Sequence, residues 1–199
     1  TSDYVFQVLG AELVRRVAEL APRLQLSLMR RPPDALEQLD RGRIDLLVVP
    51  GMFPPSDHPS APVFEDRYVC LSWRDHPGLG NQLDKAAYFA HGHVASRQRE
   101  TRPYAFEDAH LPKGWPERRI EVFVEDFVSL PELLVGTTRI ATVQRRVGER
   151  ALRQGLPLRL WPVPFKVPPL QQRMRWHATA NADPALQWLR EQVQAAAAA

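Results

Sequence analysis

One short run limits what this chain can become. Tyr68, Val69, Cys70, Leu71 and Trp73 are strand formers, and Arg74-Asp75-His76-Pro77 ends the run with turn chemistry. Strand and helix patterns stand on both sides of it. Such a strand reads as the one that carries the backbone out of one lobe and into a second. With 199 residues, the chain can build one large domain or two small lobes with separate cores.

Upstream, Ser2 or Asp3 caps a helix expected to run to about Pro22, with Leu9, Leu13, Val17 and Leu20 on one apolar stripe. Leu24, Leu26 and Leu28 alternate with polar residues, as in a strand with one buried face. Asp34 caps a short helix carrying Leu36 and Leu39, and Gly42 stands where a left-handed residue closes it. Ile44 to Val49 is apolar except for Asp45, the pattern of a central parallel strand covered on both faces. Strand, helix, strand in that order predicts a right-handed parallel crossover.

Downstream, a helix is expected over 83–89 and strands over 92–96 and 120–124. A second helix is expected over 127–135, with Pro131 near its first turn, then a strand over 139–143. A helix over 144–154 closed by Gly155 and a strand over 158–162 follow. Residues 97–113 show no legible pattern. Met174 to Ala178 reads as a strand, and Asp183 caps a final helix with Leu186, Leu189 and Val193 on one face. The alanine run from Ala195 is either a helix end or an appended tail.

The chemistry the chain omits narrows its function. Neither G-x-G-x-x-G nor G-x-x-x-x-G-K-[ST] occurs, which argues against a nucleotide cofactor, and no other cofactor is implied. His91-Gly-His93 has too few companions to suggest a metal site. No G-x-S-x-G elbow precedes a helix, and no acid–base pair stands out, so no catalysis is expected. Cys70 lies between Val69 and Leu71 in a strand and reads as a buried apolar residue. One cysteine excludes internal disulfides and suits a reducing compartment; without a membrane-length apolar run, a cytoplasmic protein off the membrane is expected. The formal charge is +3, and arginines are scattered rather than blocked, so nothing in the residues themselves grips DNA.

Binding has more to attach to. Ligands of open parallel sheets gather at the carboxyl ends of strands. Ser2-Asp3-Tyr4 would open a helix at such an end, where N–H groups and a hydroxyl receive an anionic or carbonyl group, or simply cap the helix. Met52 and Phe53, in the loop 50–59, are either pocket wall or a lid on their own loop. His76 either stabilises its turn or touches a ligand. Ser96, Arg97 and Gln144 follow strands in the second lobe, and Arg97 either pairs with a carboxylate or stays solvated.

Several segments, spaced along nearly the whole chain, resemble the effector-binding domain of LysR-type transcriptional regulators. They are Ser2-Asp-Tyr4, Ala21-Pro22, Leu39-Asp-Arg-Gly-Arg-Ile-Asp-Leu46, Arg67 to Pro77, Ile140-Ala-Thr-Val143, Trp176-His177, Asp183-Pro184 and Trp188-Leu-Arg190. They look most like the branch holding the nodulation regulators and the regulators of aromatic degradation.

The resemblance implies an α/β, periplasmic-binding-protein-like (type 2) fold: two Rossmann-like lobes with a ligand cleft between them. Lobe I would be residues 1–69 plus 170–199, and lobe II residues 70–169. It implies a small-molecule effector of aromatic or anionic type, bound by both lobes. It also implies a homodimer or homotetramer, in which domains pair antiparallel. DNA would be reached only through an N-terminal winged helix-turn-helix, absent from these residues. Asp126, beside Phe127, holds the place of a histidine that aromatic-responsive relatives use for inducer, so a salicylate-like effector is not assumed. His76 does match the Asp-His-Pro histidine. The competing expectation is a solute-binding protein of a transport system, which an export signal upstream would mark.

Overall fold

The structure, a computed structural model, describes residues 1–97 and 105–198. Its elements divide into two compact units, Thr1–Glu65 with Leu170–Ala199, and Asp66–Pro169.

In the first unit, Ser2 opens a helical stretch made of α1 (Asp3–Val5), a π-helical turn (Phe6–Gly10) and α2 (Ala11–Leu20). Leu9, Leu13 and Val17 are buried as the stripe requires, but Leu20, the last residue of α2, is exposed. α3 (Ala35–Asp40) follows, and Gly42 takes a φ of +64°, the left-handed geometry that stops it. Ala35 and Leu39 pack on Leu47 and Val49 of β1 (Leu47–Pro50). The sheet is completed by β8 (Leu170–Arg175) and β2 (Ser60–Asp66) in the order β1-β8-β2. Strand β2 escapes a pattern reading because of Pro62, which an edge strand tolerates. α6 (Pro184–Ala198) begins where Asp183 Oδ1 accepts the N–H groups of Ala185 and Leu186, at 2.8 and 3.1 Å. The alanine run is its last turns, with Ala196 and Ala197 buried.

Two expectations fail in this unit. Residues 24–28 form no strand, and Leu24 and Leu28 are exposed. β1 starts at Leu47 rather than Ile44, and pairs antiparallel with β8, Leu47 opposite Arg175, so no parallel crossover forms. Alternation marks which face is apolar; a strand also needs a neighbouring ladder, and in segment 24–30 the Leu24 N–H donates to the Ala21 carbonyl while the Met29 carbonyl accepts from Thr1.

The second unit is a five-stranded sheet in the order β5-β4-β6-β3-β7. Its strands are β3 (Tyr68–Trp73), β4 (His93–Ser96), β5 (Ile120–Val124), β6 (Ile140–Gln144) and β7 (Leu158–Trp161). β4 runs parallel to β5 and β6, while β3 is antiparallel to β6 and β7. The two-residue period of β3 splits its side chains cleanly. Val69 and Leu71 join Val94, Leu130, Ala141 and Val143 on one face, under α5 (Arg145–Arg153). Cys70 joins Tyr88, Ile140 and Trp161 on the other, under α4 (Lys85–Ala90). The helix expected over 127–135 is instead a turn and a 3-10 helix at Glu132–Leu134. Asp126 Oδ1 accepts the Ser129 N–H at 2.8 Å, folding the segment before an α-helix can start.

Candidate functional site at one edge of the second sheet

Because β4, β5 and β6 are parallel, their carboxyl ends share one edge of the sheet. Ser96, buried, ends β4, and Arg97 follows with its N–H donating to the Val124 carbonyl at 2.8 Å. The Arg97 guanidinium lies 4.5 Å from the centre of the Phe123 ring, so it is exposed yet held. Asp126 and Phe127 follow β5; Asp126 is half-buried and Phe127 packs against the core cluster that contains Leu130 and Leu134. Gln144 ends β6 and is the residue before α5.

Gln144 stands out on physical grounds. It is 2 % exposed, and its Oε1 is buried without a hydrogen-bond partner among the described residues. The Ser129 hydroxyl, in the turn after β5, is orphaned in the same way. A buried acceptor left unmade costs about 1–3 kcal/mol. A donor arriving from a small molecule would recover that cost. Ser129 was not legible as a site residue, although the Asp126-x-x-Ser129 spacing is that of a side-chain-capped turn.

The same edge carries a carboxylate that sequence reasoning missed. Asp66 is buried; its Oδ1 accepts the Arg67 N–H at 2.7 Å and its Oδ2 the Arg146 N–H at 3.2 Å. Asp66 thereby seats on the first turn of α5, where N–H groups have no helical partner. Nothing in its local sequence distinguishes it, since Arg146 is distant along the chain.

His76 is not brought to this edge. β3 runs antiparallel to β6, so the turn after β3 lies at the opposite end of the sheet. There His76 Nδ1 accepts the Gly78 N–H at 3.0 Å, and its ring meets His91 edge-on at 4.5 Å.

The face of the sheet under α4 holds a buried polar network. The Cys70 sulfur lies 3.6 Å from the Thr142 hydroxyl, which lies 2.9 Å from the Tyr88 hydroxyl. His93 Nε2 donates to the Tyr88 carbonyl at 2.8 Å. Arg118 is paired with Asp108 at 2.6 Å and Glu107 at 3.1 Å. Burial pushes the Cys70 thiol up to about 12 and the His93 imidazole down to about 3, with the Arg118 charge adding to the latter. The thiol is therefore protonated and the imidazole neutral at neutral pH, which equips neither for nucleophilic or acid–base work. Among the described residues no group of three or more His, Cys, Asp or Glu is placed to hold a metal ion. Nor is any helix long and apolar enough to cross a membrane.

In the first unit, Ser2 Oγ accepts the Val5 N–H at 3.4 Å, a long cap, and Asp3 is half-buried. The Tyr4 ring is 1 % exposed and packs edge-on against Phe64 at 5.8 Å. Met52 is exposed, whereas Phe53 is half-buried beneath the guanidinium groups of Arg31 and Arg175, at 5.1 and 5.5 Å. Arg175 pins this loop, donating to the carbonyls of Pro54 at 2.5 Å and Phe53 at 3.0 Å.

Comparison with known proteins agrees with this architecture. Residues 1–198 match the family model for the LysR substrate binding domain. The chain is 37 % identical over 190 residues to Nodulation protein D 2 of Rhizobium tropici, covering 96 % of this chain and 60 % of that protein. It is 37 % identical over 193 residues to Nodulation protein D 1 of Rhizobium meliloti strain 1021, covering 96 % and 61 %. It thus spans about 60 % of the length of the curated relatives it matches. Among solved structures it resembles the regulatory domain of MexT, a transcriptional activator in Pseudomonas aeruginosa. The TM-score there is 0.83 at 26 % identity, over 98 % of this chain and 94 % of that one. A probable transcriptional regulator of the same organism matches with a TM-score of 0.86 at 27 % identity, over 98 % and 64 %. The fold is accordingly α/β and periplasmic-binding-protein-like (type 2). The chain belongs to the LysR substrate-binding domain family.

Proposed function

We propose that this chain is the effector-sensing and self-associating module of a LysR-type transcriptional regulator, acting on DNA through a separate domain. The observation that carries the effector site is the orphaned, buried Gln144 Oε1, at the strand edge it shares with Ser96 and Asp126. In the second unit the contacts are Ser96, Arg97, Asp126, Phe127 and Gln144; in the first unit, taken by itself, the candidates are Ser2, Asp3, Tyr4, Met52 and Phe53. The ligand class is a small aromatic or anionic molecule with at least one N–H or O–H donor to meet Gln144. Two boundaries within the chain, near residue 69 and near residue 170, separate the lobes whose equilibrium the effector biases. An effector that binds one arrangement better than another shifts the population, and so the angle of the attached DNA-binding segments.

The test is a thermal-shift screen of the protein against aromatic acids and flavonoids, repeated with Gln144→Leu. Replacing an unsatisfied polar group with an apolar one of similar size leaves the ligand-free Tm nearly unchanged. The ligand-induced shift should then disappear. A shift of equal size in Gln144→Leu would overturn the site assignment, and a screen with no stabilising compound would count against effector sensing itself.

A further inference from the structure

The cross-strand register puts an aromatic residue beside the unpaired amide oxygen of Gln144. Tyr68 stands directly opposite Gln144, and Cys70 directly opposite Thr142. All four side chains therefore project from the face under α4, with Tyr68 and Gln144 at the edge of the sheet. Tyr68 was not legible as a binding residue, because a pairing distant along the chain fixes its neighbour.

The Tyr68 ring is covered by Phe106, whose ring stacks on it with centres 5.4 Å apart and planes inclined by 16°. The neighbouring rings under α4 instead meet edge-on, Tyr88 with Phe89 at 83° and Phe89 with Trp115 at 78°. Edge-on rings interlock, whereas an offset stack is a flat slot that any planar ring can fill. Phe106 is half-buried and leads into the 3-10 turn Glu107–His110. Three bonds of this turn travel with it. The Ala105 N–H donates to Asp108 Oδ2 at 3.1 Å, and the Phe106 carbonyl accepts the Ala109 N–H at 3.2 Å and His110 Nδ1 at 2.9 Å. Arg118, just before β5, latches the turn through Asp108 at 2.6 Å. Its Nη2 is buried without a hydrogen-bond partner among the described residues, so the latch is incompletely satisfied.

We infer that Phe106 is a tethered plug: its ring holds the place on Tyr68 that the ring of a planar effector takes, and effector binding displaces it. The inference rests on the effector reading of this edge. It adds the residue on which the effector stacks and the residue it must expel. With its ring on Tyr68, the effector brings its N–H or O–H donor to Gln144 Oε1, whose Cβ lies about 5 Å from that of Tyr68 in such a pair. Phe106 and the effector compete for one face, so the resting stack lowers the apparent affinity. Occupancy in turn moves Phe106 and the turn that carries it, which gives the second unit two arrangements for the effector to choose between.

Calorimetric titration with para-hydroxybenzoate, a planar ring carrying an O–H donor, tests the plug. Its ring-saturated analogue, with the same groups on a puckered ring, is the control. Phe106→Leu keeps the space filled but cannot stack, and should bind para-hydroxybenzoate about three- to tenfold more tightly than the wild type. The saturated analogue should gain nothing. Tyr68→Leu should weaken para-hydroxybenzoate binding and erase the gain when combined with Phe106→Leu. With para-fluorophenylalanine in place of Phe106, the fluorine resonance should move as para-hydroxybenzoate binds. Equal or weaker binding by Phe106→Leu, or a resonance that stays fixed during binding, would overturn the plug; loss of binding in Gln144→Leu would then leave the effector edge itself standing. Binding that survives Gln144→Leu unchanged, or no binding to the wild type and Phe106→Leu alike, would overturn both.

Discussion

The carboxylate of Asp66 accepts the backbone N–H of Arg146 at 3.2 Å, although eighty residues separate them along the chain. Since Oδ1 also holds the Arg67 N–H, the residues just before β3 and the first turn of α5 are locked together. Both lie at the edge that carries Gln144. Loss of such a cap costs about 1 kcal/mol. Asp66→Ala should therefore lower the unfolding free energy measured in urea by that amount, and Asp66→Asn, which retains an acceptor, by less.

The buried ion pairs set a larger stake. Arg118 sits between Glu107 and Asp108, and all three are largely out of solvent. Arg118→Met leaves Glu107 buried and unpaired, which destabilises by roughly 3 kcal/mol or more. The triple variant Arg118→Met/Glu107→Gln/Asp108→Asn should recover a substantial part of that loss in the same denaturation experiment.

His93 makes stability depend on pH in a definite direction. Its pKa is near 3 in the fold and near 6.5 when unfolded. Above pH 6.5 both states are neutral and the contribution is complete. As pH falls toward 3, the unfolded state takes up the proton and the folded state does not, so stability is lost. The slope is roughly 1 kcal/mol for each pH unit. Burial raises the Glu107 carboxyl, and its protonation within the fold acts in the opposite sense. The difference in slope between the wild type and His93→Gln, measured between pH 6 and 4.5, isolates the histidine. Identical slopes would refute the assignment.

Cys70 should resist modification. With no exposure and its thiol pushed up to about 12, it presents no thiolate to an alkylating reagent at pH 8. Mass spectrometry after iodoacetamide treatment should show an unmodified native protein, and a single adduct once denaturant is added.

The loop after β1 depends on one guanidinium. Arg175 donates to the carbonyls of Pro54 and Phe53 and to Ser56 Oγ at 3.3 Å. Lysine cannot reproduce that planar fork. Arg175→Lys should release the loop, seen as faster proteolysis within residues 50–59 with little change in the denaturation midpoint.

The local order of elements was legible in the residues wherever one signal sufficed. The period of Val69, Cys70 and Leu71, the stop at Gly155 and the cap at Asp183 depend on side chains within a turn or two of one another. The resemblance of spaced segments to LysR-type effector domains was legible for the same reason, since it needs only order and spacing. What tertiary structure decided was every feature that depends on a distant partner. Whether Leu24 to Leu28 becomes a strand depends on a neighbouring ladder, which alternation cannot report. The end of the sheet at which His76 stands depends on β3 running antiparallel to β6. The seat of Asp66 depends on Arg146, and the unpaired oxygen of Gln144 on what the fold fails to place beside it. Hydrogen bonds and desolvation act over a few ångströms in space, and the residues that satisfy or deny them are not neighbours along the chain.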